Sequence, residues 1–288
     1  MNVLSQAFEK HFTARKNDQT IIDLLSDHCP AISRQKLKLA MQYGAVWLTS
    51  IKQKTKTVRV RRAKRTLLCG DEVHLYYNED FLFSEITPAK LISDEGAYSV
   101  WNKPNGMFSQ GTKWGDHSSI TRWVEVFGLA LNGLQSRQTY LVHRLDKASN
   151  GLILVAHTKK MTSQLADLFE NRKVEKHYSA VVRGQYSLER LSQLKADIDG
   201  KPALTVILSS EYTLDDDLTS LVLKIKTGRK HQIRKHLSCV GFPIIGDRLY
   251  GNDKDEIKNQ SDLMLRSCYL AFNCPFSQHR RIYQLESY

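Results

Sequence analysis

The hydrophobic and polar positions of the first 80 residues predict a small unit with two short helices and two strands. Apolar residues recur with a helical period of about 3.6 in residues 19–29, which predicts a short amphipathic helix. Ser33 is a favourable N-cap for a second helix, and Gly44 is a favourable terminator. An apolar–polar alternation beginning at Val46 predicts a strand, and residues 72–77 follow a Gly-Asp turn as another strand.

From Ala97 onward the pattern predicts a larger unit in which strands and helices are mixed. The predicted strands cover residues 98–101, 151–156, 177–183 and 220–226. Thr158 is a favourable N-cap for a helix with a clear 3.6-residue apolar pattern, and Gly241 ends a second helix with an apolar stripe. Because the elements do not repeat as regular βαβ units, the pattern predicts an α+β fold.

Charge indicates the class of partner. The chain has 288 residues, a net charge of +12 and a pI of about 9.4, which is typical of proteins that bind a polyanion. Nucleic acid is the usual polyanion and an acidic membrane surface a less frequent one; a basic soluble protein without such a partner is the alternative.

Several other patterns restrict the location of the protein. No apolar stretch approaches the roughly 20 residues of a membrane span, and the N-terminal residues lack the layout of a signal peptide. The five cysteines are odd in number and form no CxxC pair, which argues against a disulfide framework and a zinc ribbon. We therefore expect a cytoplasmic protein, without metal or membrane partner, and a monomer as the default state.

The N-terminal unit contains a strongly basic stretch. Residues 51–65 carry eight Lys or Arg and no acid, although such a run is often only a solvated loop. Its context is ISRQKLKLAMQYGAVWL before it and LLCGDEVHL after it, and together these resemble the RNA-binding module named after ribosomal small-subunit protein four. The resemblance covers about residues 17–77, with LTSIKQ where the module usually reads "VNG". The candidate RNA-binding residues are Arg34, Lys38, Lys52, Lys54, Arg61 and Arg62.

The domain organisation follows from these patterns. Residues 1–80 are predicted to form a small α/β RNA-binding domain, and the charged residues 81–96, with little periodicity, to form a linker. Residues 97–288 are predicted to form the larger domain.

The segment TYLVHRLDKASNGLILVAHT, residues 139–158, is the most informative one for chemistry. It places Asp146 between Arg144 and Lys147, just ahead of an apolar run that predicts a buried strand. Neighbouring cations favour the ionised form of a carboxylate, and a strand end fixes its position. Asp146 is therefore a candidate for covalent or acid–base chemistry.

Three further segments accompany this one in a fixed order. They are VWNKPNGMFSQG at residues 100–111, KVEKHYSAVVRGQ at residues 173–185 and KTGRKHQIRKHLSCVGFPIIGDRLYG at residues 226–251. In this order and spacing the four segments closely resemble the RluA family of RNA pseudouridine synthases over most of residues 97–276. The resemblance implies a mixed, mainly antiparallel central sheet with flanking helices.

The resemblance also implies a reaction. Enzymes of this family convert selected uridines of rRNA or tRNA to pseudouridine: the bond from uracil N1 to ribose C1′ is broken, the base turns, and C5 is joined to C1′. Nothing is oxidised or hydrolysed overall, so no cofactor and no metal are expected. The partner implied is RNA, with the target base turned out of its stack.

Three residues match the catalytic positions of that family. Asp146 matches the catalytic aspartate and would act either as a nucleophile at C1′ or as a base in an elimination; a capping aspartate is the ordinary alternative. Arg234 matches the arginine that pairs with it, and a phosphate contact is the alternative. Tyr178 matches the active-site tyrosine, which stacks on the uracil or relays a proton; a half-buried strand tyrosine is the alternative.

Three more residues are candidates for substrate binding. Arg144 matches the side chain that takes the place of the extruded base, with a phosphate clamp as the alternative. Leu265 aligns with an apolar residue that packs on the base, but Asp262 and Arg266 depart from the usual neighbourhood, and core packing is an equal alternative. Lys103 is a candidate for a phosphate contact. The histidines of the four segments are expected to be structural or to contact RNA, not to hold a metal.

Two other functions compete with this reading. A non-catalytic RNA-binding or RNA-chaperone protein would keep the fold without the chemistry, yet Asp146, Tyr178 and Arg234 are all present together. A glycosidase-like hydrolase would need a second carboxylate as proton donor, and the four segments offer no evident pair. We therefore predict an RNA pseudouridine synthase with an N-terminal RNA-binding module.

Overall fold

A computed structural model describes residues 7–53, 56–189, 191–251 and 261–288 of the chain. It divides into two units that each comprise two stretches of sequence. The first unit is Met1–Ile86 with Gln110–Trp123, and the second is Thr87–Ser109 with Val124–Tyr288.

The first unit combines a four-stranded antiparallel sheet with short helices. The strand order is β1-β4-β2-β3. Its elements are β1 (Phe8–Thr13), α1 (Ile21–His28), α2 (Arg34–Gln42), β2 (Val46–Thr49), a 3-10 turn (Ile51–Gln53), β3 (Thr57–Arg59), β4 (Glu72–Tyr77), α3 (Glu79–Phe83) and α4 (Ile120–Trp123).

The two helices predicted from apolar spacing are confirmed, and their caps explain where they begin. The Thr20 hydroxyl accepts a hydrogen bond from Asp23 N at 3.3 Å, and the Ser33 hydroxyl accepts one from Lys36 N at 3.3 Å. Each cap satisfies an amide that has no partner within its helix. The inner faces of α1 and α2 bury Leu25 and other apolar side chains against the sheet, so this unit has a hydrophobic core of its own.

The segment Gln110–Trp123 packs within this first unit, although the sequence placed it with the larger domain. Its Asp116 pairs with Arg61 at 2.5 Å, and the ring of His117 stacks on Tyr43 with centroids 4.4 Å apart. Trp47 Nε1 also donates to Lys113 O at 3.0 Å. These contacts join residues far apart in sequence, so local patterns do not reveal them.

The second unit is built on a ten-stranded sheet. The main path runs β10-β11-β12-β9-β13-β8-β6-β5, with β14 beside β13 and β7 beside β8. Its elements are β5 (Lys90–Asp94), β6 (Tyr98–Lys103), a π-helical turn (Val124–Gly128), α5 (Leu129–Leu131), β7 (Tyr140–Leu141), β8 (Asn150–Ala156), α6 (Lys159–Glu170), β9 (Glu175–Arg183), β10 (Gln193–Ile198), β11 (Lys201–Thr213), β12 (Leu218–Ile225), α7 (Gln232–Cys239), β13 (Leu265–Asn273) and β14 (Arg280–Gln284).

The sheet of the second unit is mixed and mainly antiparallel. Strands β13 and β8 form its parallel pair, and the register places Gly151 opposite Ser267. Gly151 has a φ of +111°, and a Cβ there would lie 2.3 Å from Ser267 O, so this crossing requires glycine. The predicted α+β class, with a mixed, mainly antiparallel sheet and flanking helices, is confirmed.

Two apolar clusters stabilise the second unit. One joins α6 to β6, β8, β13 and β14 through side chains such as Leu154 and Leu165. The other joins α7 to β9, β11 and β12 through side chains such as Leu223 and Leu237. The apolar stripes predicted on these two helices therefore face the core.

The segment 81–96, predicted to be a linker, contains regular structure. It holds the end of α3 and the whole of β5, which pairs with β6. A polar edge strand gains its stability from a partner strand and shows weak periodicity, which explains why its sequence resembles a linker. Within the described part of the chain, no helix is long and apolar enough to cross a membrane.

Candidate active site

A cavity of about 970 Å³ opens in the second unit. Three stretches and one strand residue form its wall: the loop between β7 and β8, the end of α6 with the start of β9, the end of β12 with the start of α7, and Leu265. Such a volume lies in the range of small-molecule sites and can hold a nucleotide. Three of the four segments singled out from the sequence contribute residues to the wall, and the first segment, residues 100–111, does not.

Asp146 lies in the β7–β8 loop and faces this cavity. Its side chain is 30% exposed. One carboxylate oxygen, Oδ2, is 3.6 Å from Arg234 Nη1, and the other, Oδ1, is 3.6 Å from His231 Nε2. Both distances exceed those of a hydrogen bond, so the oxygens face a guanidinium and an imidazole and keep their lone pairs available to a bound molecule.

Buried contacts fix the loop that carries Asp146. The Ser109 hydroxyl donates to Leu145 O at 2.6 Å and accepts from Leu145 N at 2.9 Å. His143 Nε2 accepts from Leu154 N at 3.0 Å, and its ring stacks on Phe169 with centroids 4.3 Å apart. Burial lowers the pKa of His143 to about 3, so this histidine is a neutral structural group.

Lys103 binds backbone carbonyls around the same loop. The prediction that it contacts phosphate is therefore wrong. Its side chain is fully buried, and Nζ donates to Ser149 O at 2.6 Å and to Pro104 O and Met107 O, each at 2.9 Å. An ammonium enclosed by backbone carbonyls cannot reach a phosphate. Burial lowers the pKa of Lys103 to about 7, while the charge of Asp146 acts in the opposite direction.

Arg234 is fixed by a carboxylate that the sequence prediction missed. Arg234 is 3% exposed, and it donates to Asp247 twice, from Nε at 2.7 Å and from Nη2 at 2.6 Å. Burial lowers the pKa of Arg234, but Asp247 and Asp146 together raise it above its ordinary value. The bidentate pair leaves Nη1 directed at Asp146, so the arrangement combines the predicted contact with a positioning partner.

Asp247 is itself fully engaged. Burial raises its pKa, but the hydrogen bonds and charge of Arg234, with the amides of Tyr250 and Leu249, lower it below its ordinary value. Leu249 N and Tyr250 N donate to Asp247 Oδ1 at 3.0 and 3.1 Å. The preceding Gly246 has a φ of +75°, and a Cβ there would meet Asp262 O at 2.3 Å, so glycine permits this turn.

His231 is the second residue that the sequence analysis did not assign to the site. It lies at the N-cap of α7 with left-handed backbone angles, φ 54° and ψ 29°. Its Nδ1 is 2.9 Å from the Tyr250 hydroxyl, and its Nε2 faces Asp146. Burial lowers the pKa of His231, and the charge of Asp146 raises it in part.

Tyr178 and Leu265 also line the cavity, on the neighbouring strands β9 and β13. Burial raises the pKa of Tyr178, and the charge of Asp146 raises it further, so the phenol keeps its proton at neutral pH. Leu265 is 4% exposed and packs in the α7 cluster as well. Leu265 therefore packs in the core, which was one of its two predicted alternatives, and it also lines the cavity.

Arg144 is exposed at the wall of the cavity, two residues before Asp146. Other exposed cations share this wall: Arg172, Lys173 and Lys226. Together they give the cavity a cationic rim, which is defined here as these four side chains.

The RNA-binding residues predicted in the first unit have different environments. Arg34 forms an exposed ion pair with Asp23 at 2.7 Å, and such a pair holds a cation only weakly. Lys38, Lys52 and Arg62 are exposed, whereas Lys54 lies outside the described residues.

Arg61 differs from its predicted role. Its guanidinium donates to Gln42 O at 2.7 Å and to Asp116 at 2.5 Å, and it is only 28% exposed. Two acceptors within the first unit occupy the side chain, so Arg61 acts as a structural cation there. Its neighbour Arg62 keeps the exposure expected of a residue that contacts RNA.

No group of three or more His, Cys, Asp or Glu side chains within the described ranges is placed to hold a metal ion. The site therefore consists of carboxylate, guanidinium, imidazole and phenol groups around a cavity with a cationic rim. These groups can stabilise charge, accept a proton and form a bond to carbon.

Comparisons with known proteins give matches to one kind of RNA-modifying enzyme. A family model described as RNA pseudouridylate synthase matches residues 97–239. An uncharacterized RNA pseudouridine synthase of Bacillus subtilis is 34% identical over 215 residues, which cover 68% of this chain and 72% of the relative. The ribosomal large subunit pseudouridine synthase C of Rickettsia bellii is 32% identical over 240 residues, which cover 71% of this chain and 77% of the relative.

A solved structure supports the fold as well. The human RNA pseudouridylate synthase domain containing 1 superposes with a TM-score of 0.56 at 22% sequence identity, covering 71% of this chain and 85% of the human one. At this identity the likeness concerns the fold alone.

Proposed function

This chain belongs to the RluA family of RNA pseudouridine synthases and is an isomerase that acts on RNA, and from that premise we propose that Asp146 is its catalytic carboxylate. The proposed substrate is a uridine of rRNA or tRNA that turns out of its stack into the cavity. There the bond from N1 to C1′ is exchanged for a bond from C5 to C1′.

One observation carries this proposal. Both oxygens of Asp146 face the cavity at 3.6 Å from a cation or an imidazole, and no side chain among the described residues forms a hydrogen bond to them. A carboxylate that only stabilised the fold would be paired as closely as Asp247 is. The side chain of Asp146 is 30% exposed at the cavity wall, so the sugar of a nucleotide bound there can approach it.

The remaining wall residues have complementary roles in this proposal. The cationic rim attracts the phosphate backbone, and Arg144 takes the place of the extruded base. Tyr178 and Leu265 offer an aromatic and an aliphatic surface to the uracil. Arg234, held by Asp247, orients the carboxylate towards the sugar.

Both chemical routes remain compatible with this arrangement. As a nucleophile, Asp146 forms a covalent bond to C1′; as a base, it removes a proton from the sugar to assist elimination. In either route the carboxylate must be ionised and must reach the ribose, and the Arg234 guanidinium opposite it stabilises the negative charge.

We also propose that the first unit captures RNA through backbone charge. The exposed side chains of Lys38, Lys52 and Arg62 support this role, as does the surplus of basic residues in the chain. The Rickettsia bellii relative is named for the ribosomal large subunit, so large-subunit rRNA is the first substrate to test, and tRNA the second. Extruding a base costs least in loops and bulges, where we expect the target.

The competing functions receive less support. A binding protein without chemistry would not need a partly exposed carboxylate opposite a buried arginine. A glycosidase-like hydrolase would need a carboxylic acid that keeps its proton, and Glu175 is the partly buried carboxyl beside the cavity. Its hydrogen bond to Lys224 lowers its pKa to about 2, so it carries no proton to donate at neutral pH.

The experiment compares wild-type protein with Asp146→Asn on RNA from cells that lack the native gene. We expect wild type to introduce pseudouridine at discrete sites, and Asp146→Asn to bind RNA normally but lose at least about a thousandfold in rate, as for other essential catalytic groups. Asp216→Asn, in the exposed turn before β12, is the matched control and should behave as wild type. Pseudouridine mapping of rRNA and tRNA fractions identifies the target.

Equal modification by Asp146→Asn and wild type would contradict the assignment of Asp146. If wild type modified none of the RNA fractions, the proposed function itself would be contradicted. RNA binding and thermal unfolding of each variant separate loss of chemistry from loss of the folded state.

A further inference from the structure

His231 is placed as a second reactive group of the cavity. Its side chain is 15% exposed, and Nε2 lies 3.6 Å from Asp146 Oδ1. Its Nδ1 is 2.9 Å from the Tyr250 hydroxyl. Its left-handed backbone, φ 54° and ψ 29°, is a conformation that costs a residue with a side chain about 1 kcal/mol or more, and such strain concentrates at functional sites.

The isomerisation proposed above includes a deprotonation step that is separate from the attack on the sugar. This step requires a proton acceptor. When C5 becomes bonded to C1′, C5 still carries its own hydrogen, and the ring is no longer conjugated. That hydrogen must leave as a proton, the electron pair of its bond returns to the ring, and N1 gains a proton from water. The step is the same whether Asp146 acts as nucleophile or as base.

The groups that face this part of the cavity differ in their ability to accept a proton. Asp146 is engaged at the sugar in the proposed reaction, and Arg234 and Arg229 are cations. Burial and the charge of Asp146 raise the pKa of Tyr178, so its phenol is protonated and has no strongly basic atom. Burial lowers the pKa of His231, and the opposing effects of Asp146 and Asp247 leave it below its ordinary value, so the imidazole is neutral at pH 7.

We propose that His231 Nε2 accepts the C5 proton of the rearranged uridine, an inference that rests on the proposed function. When Nδ1 donates its hydrogen to the Tyr250 hydroxyl, the lone pair of Nε2 is directed into the cavity. The imidazolium that forms lies beside the Asp146 carboxylate, which stabilises the new positive charge. In this tautomer the Tyr250 hydroxyl accepts the hydrogen bond from Nδ1, and Nε2 is the basic nitrogen.

The test measures the isotope effect at C5. RNA substrates carrying protium or deuterium at C5 of the target uridine are converted in single turnover by wild type, His231→Asn and His231→Gln. Asn tolerates the left-handed backbone best among non-glycine residues, so His231→Asn avoids added strain, and neither amide accepts a proton at neutral pH. The control is His236→Gln, which replaces a buried histidine of the same helix that bonds to Thr205 instead.

We expect both His231 variants to be slower by about 100-fold to 10,000-fold, the usual contribution of a general base. Their C5 isotope effect should exceed that of wild type, because C5 deprotonation becomes the slow step. His236→Gln should keep the wild-type isotope effect. Imidazole added to folded His231→Asn should restore part of the rate and lower the isotope effect again.

An unchanged C5 isotope effect in both His231 variants would overturn the inference, because a purely positioning role slows the attack on the sugar and leaves C5 deprotonation fast. A wild-type rate in either variant would overturn it as well. In both cases wild type still forms pseudouridine, so the proposed function survives. Thermal unfolding and RNA binding identify a misfolded variant, and the second substitution then decides.

Discussion

Each unit of the molecule contains an aspartate that faces two cationic or imidazole groups, and the two sites differ in how closely these groups approach. In the first unit, Asp116 is paired with Arg61 at 2.5 Å, and Arg59 Nε lies 3.7 Å away. In the second unit, Asp146 is 3.6 Å from both Arg234 and His231. The side chain of Asp116 is 17% exposed and that of Asp146 is 30% exposed.

The difference shows how a fold keeps a carboxylate available for chemistry. The guanidinium of Arg61 approaches Asp116 to hydrogen-bond distance, and that pair joins the segment Gln110–Trp123 to the rest of its unit. The guanidinium of Arg234 does not approach Asp146 to this distance, because Asp247 holds its Nε and Nη2 in a bidentate pair. A third charged residue therefore converts an ordinary ion pair into an oriented cation opposite an accessible carboxylate.

The largest expected effect follows from removing that third residue by Asp247→Asn. Arg234 is 3% exposed and would lose its fully buried partner, which costs about 3–5 kcal/mol of the free energy of unfolding. Arg234 would then turn towards Asp146 and pair with it as closely as Arg61 does with Asp116. We expect the folded fraction of the variant to lose activity as well, measured by denaturant unfolding and by single-turnover conversion of RNA.

The pH dependence provides the control for this variant. The pKa of Asp247 is lower in the folded state than in the unfolded state. The ionised carboxylate therefore stabilises the fold fully above its unfolded pKa of about 4, and this stabilisation is lost as the pH falls through the lower folded pKa. Wild type should lose stability in that acid window more steeply than Asp247→Asn. Identical acid unfolding of the two proteins would show that the pair does not hold Arg234 as described.

A smaller effect is expected from Asp116→Asn. The substitution removes the charge that Arg61 and Arg59 face, yet both arginines keep hydrogen bonds to backbone carbonyls of Gln42 and Gly44. We expect a loss of about 1–2 kcal/mol in the free energy of unfolding. The turnover of the folded protein should remain that of wild type. A drop in turnover at saturating RNA without a loss of stability would contradict the structural role of this carboxylate.

The contacts of the two aspartates join residues that are separated in sequence, and they could not be predicted from local patterns. Features that depend on the local sequence could be. Helices α1, α2, α6 and α7 follow from apolar spacing and from caps such as Ser33 and Thr158, because these are local properties. The strand β1 and the pair β10–β11 were missed. Strand β1 is mostly exposed and polar, and such strands depend on partners elsewhere in the chain.

The site divides in the same way. Asp146, Arg144, Tyr178 and Arg234, from three of the four segments, line the cavity, and so does Leu265, which lies beyond the fourth segment. The partner Asp247 was missed, although a buried arginine needs a carboxylate and Gly246–Asp247 lies in the fourth segment. The burial of Lys103 was missed because its acceptors are backbone carbonyls, which every residue has, so the amino-acid sequence does not distinguish them. In both cases the sequence does not give the distances in space between the interacting groups.

The smallest expected effect concerns two adjacent arginines of the first unit, and it tests whether a paired cation contributes to RNA binding. Arg62 is exposed, whereas Arg61 is held by Asp116 and Gln42 O. Arg62→Gln should weaken RNA binding by about 1 kcal/mol or less and should lower the salt dependence of log K by about one unit, because one phosphate contact is lost. Arg61→Gln should leave that salt slope unchanged but lower thermal stability.

Binding titrations over a series of salt concentrations provide the measurement, and thermal unfolding accompanies each variant. Arg62→Lys is the matched control, since it keeps the charge and should retain the salt slope of wild type. Equal changes in slope for Arg61→Gln and Arg62→Gln would show that the Asp116 pair opens to RNA. Asp116 would then resemble Asp146 in facing a cation that remains available, and closeness of pairing would no longer distinguish the two sites.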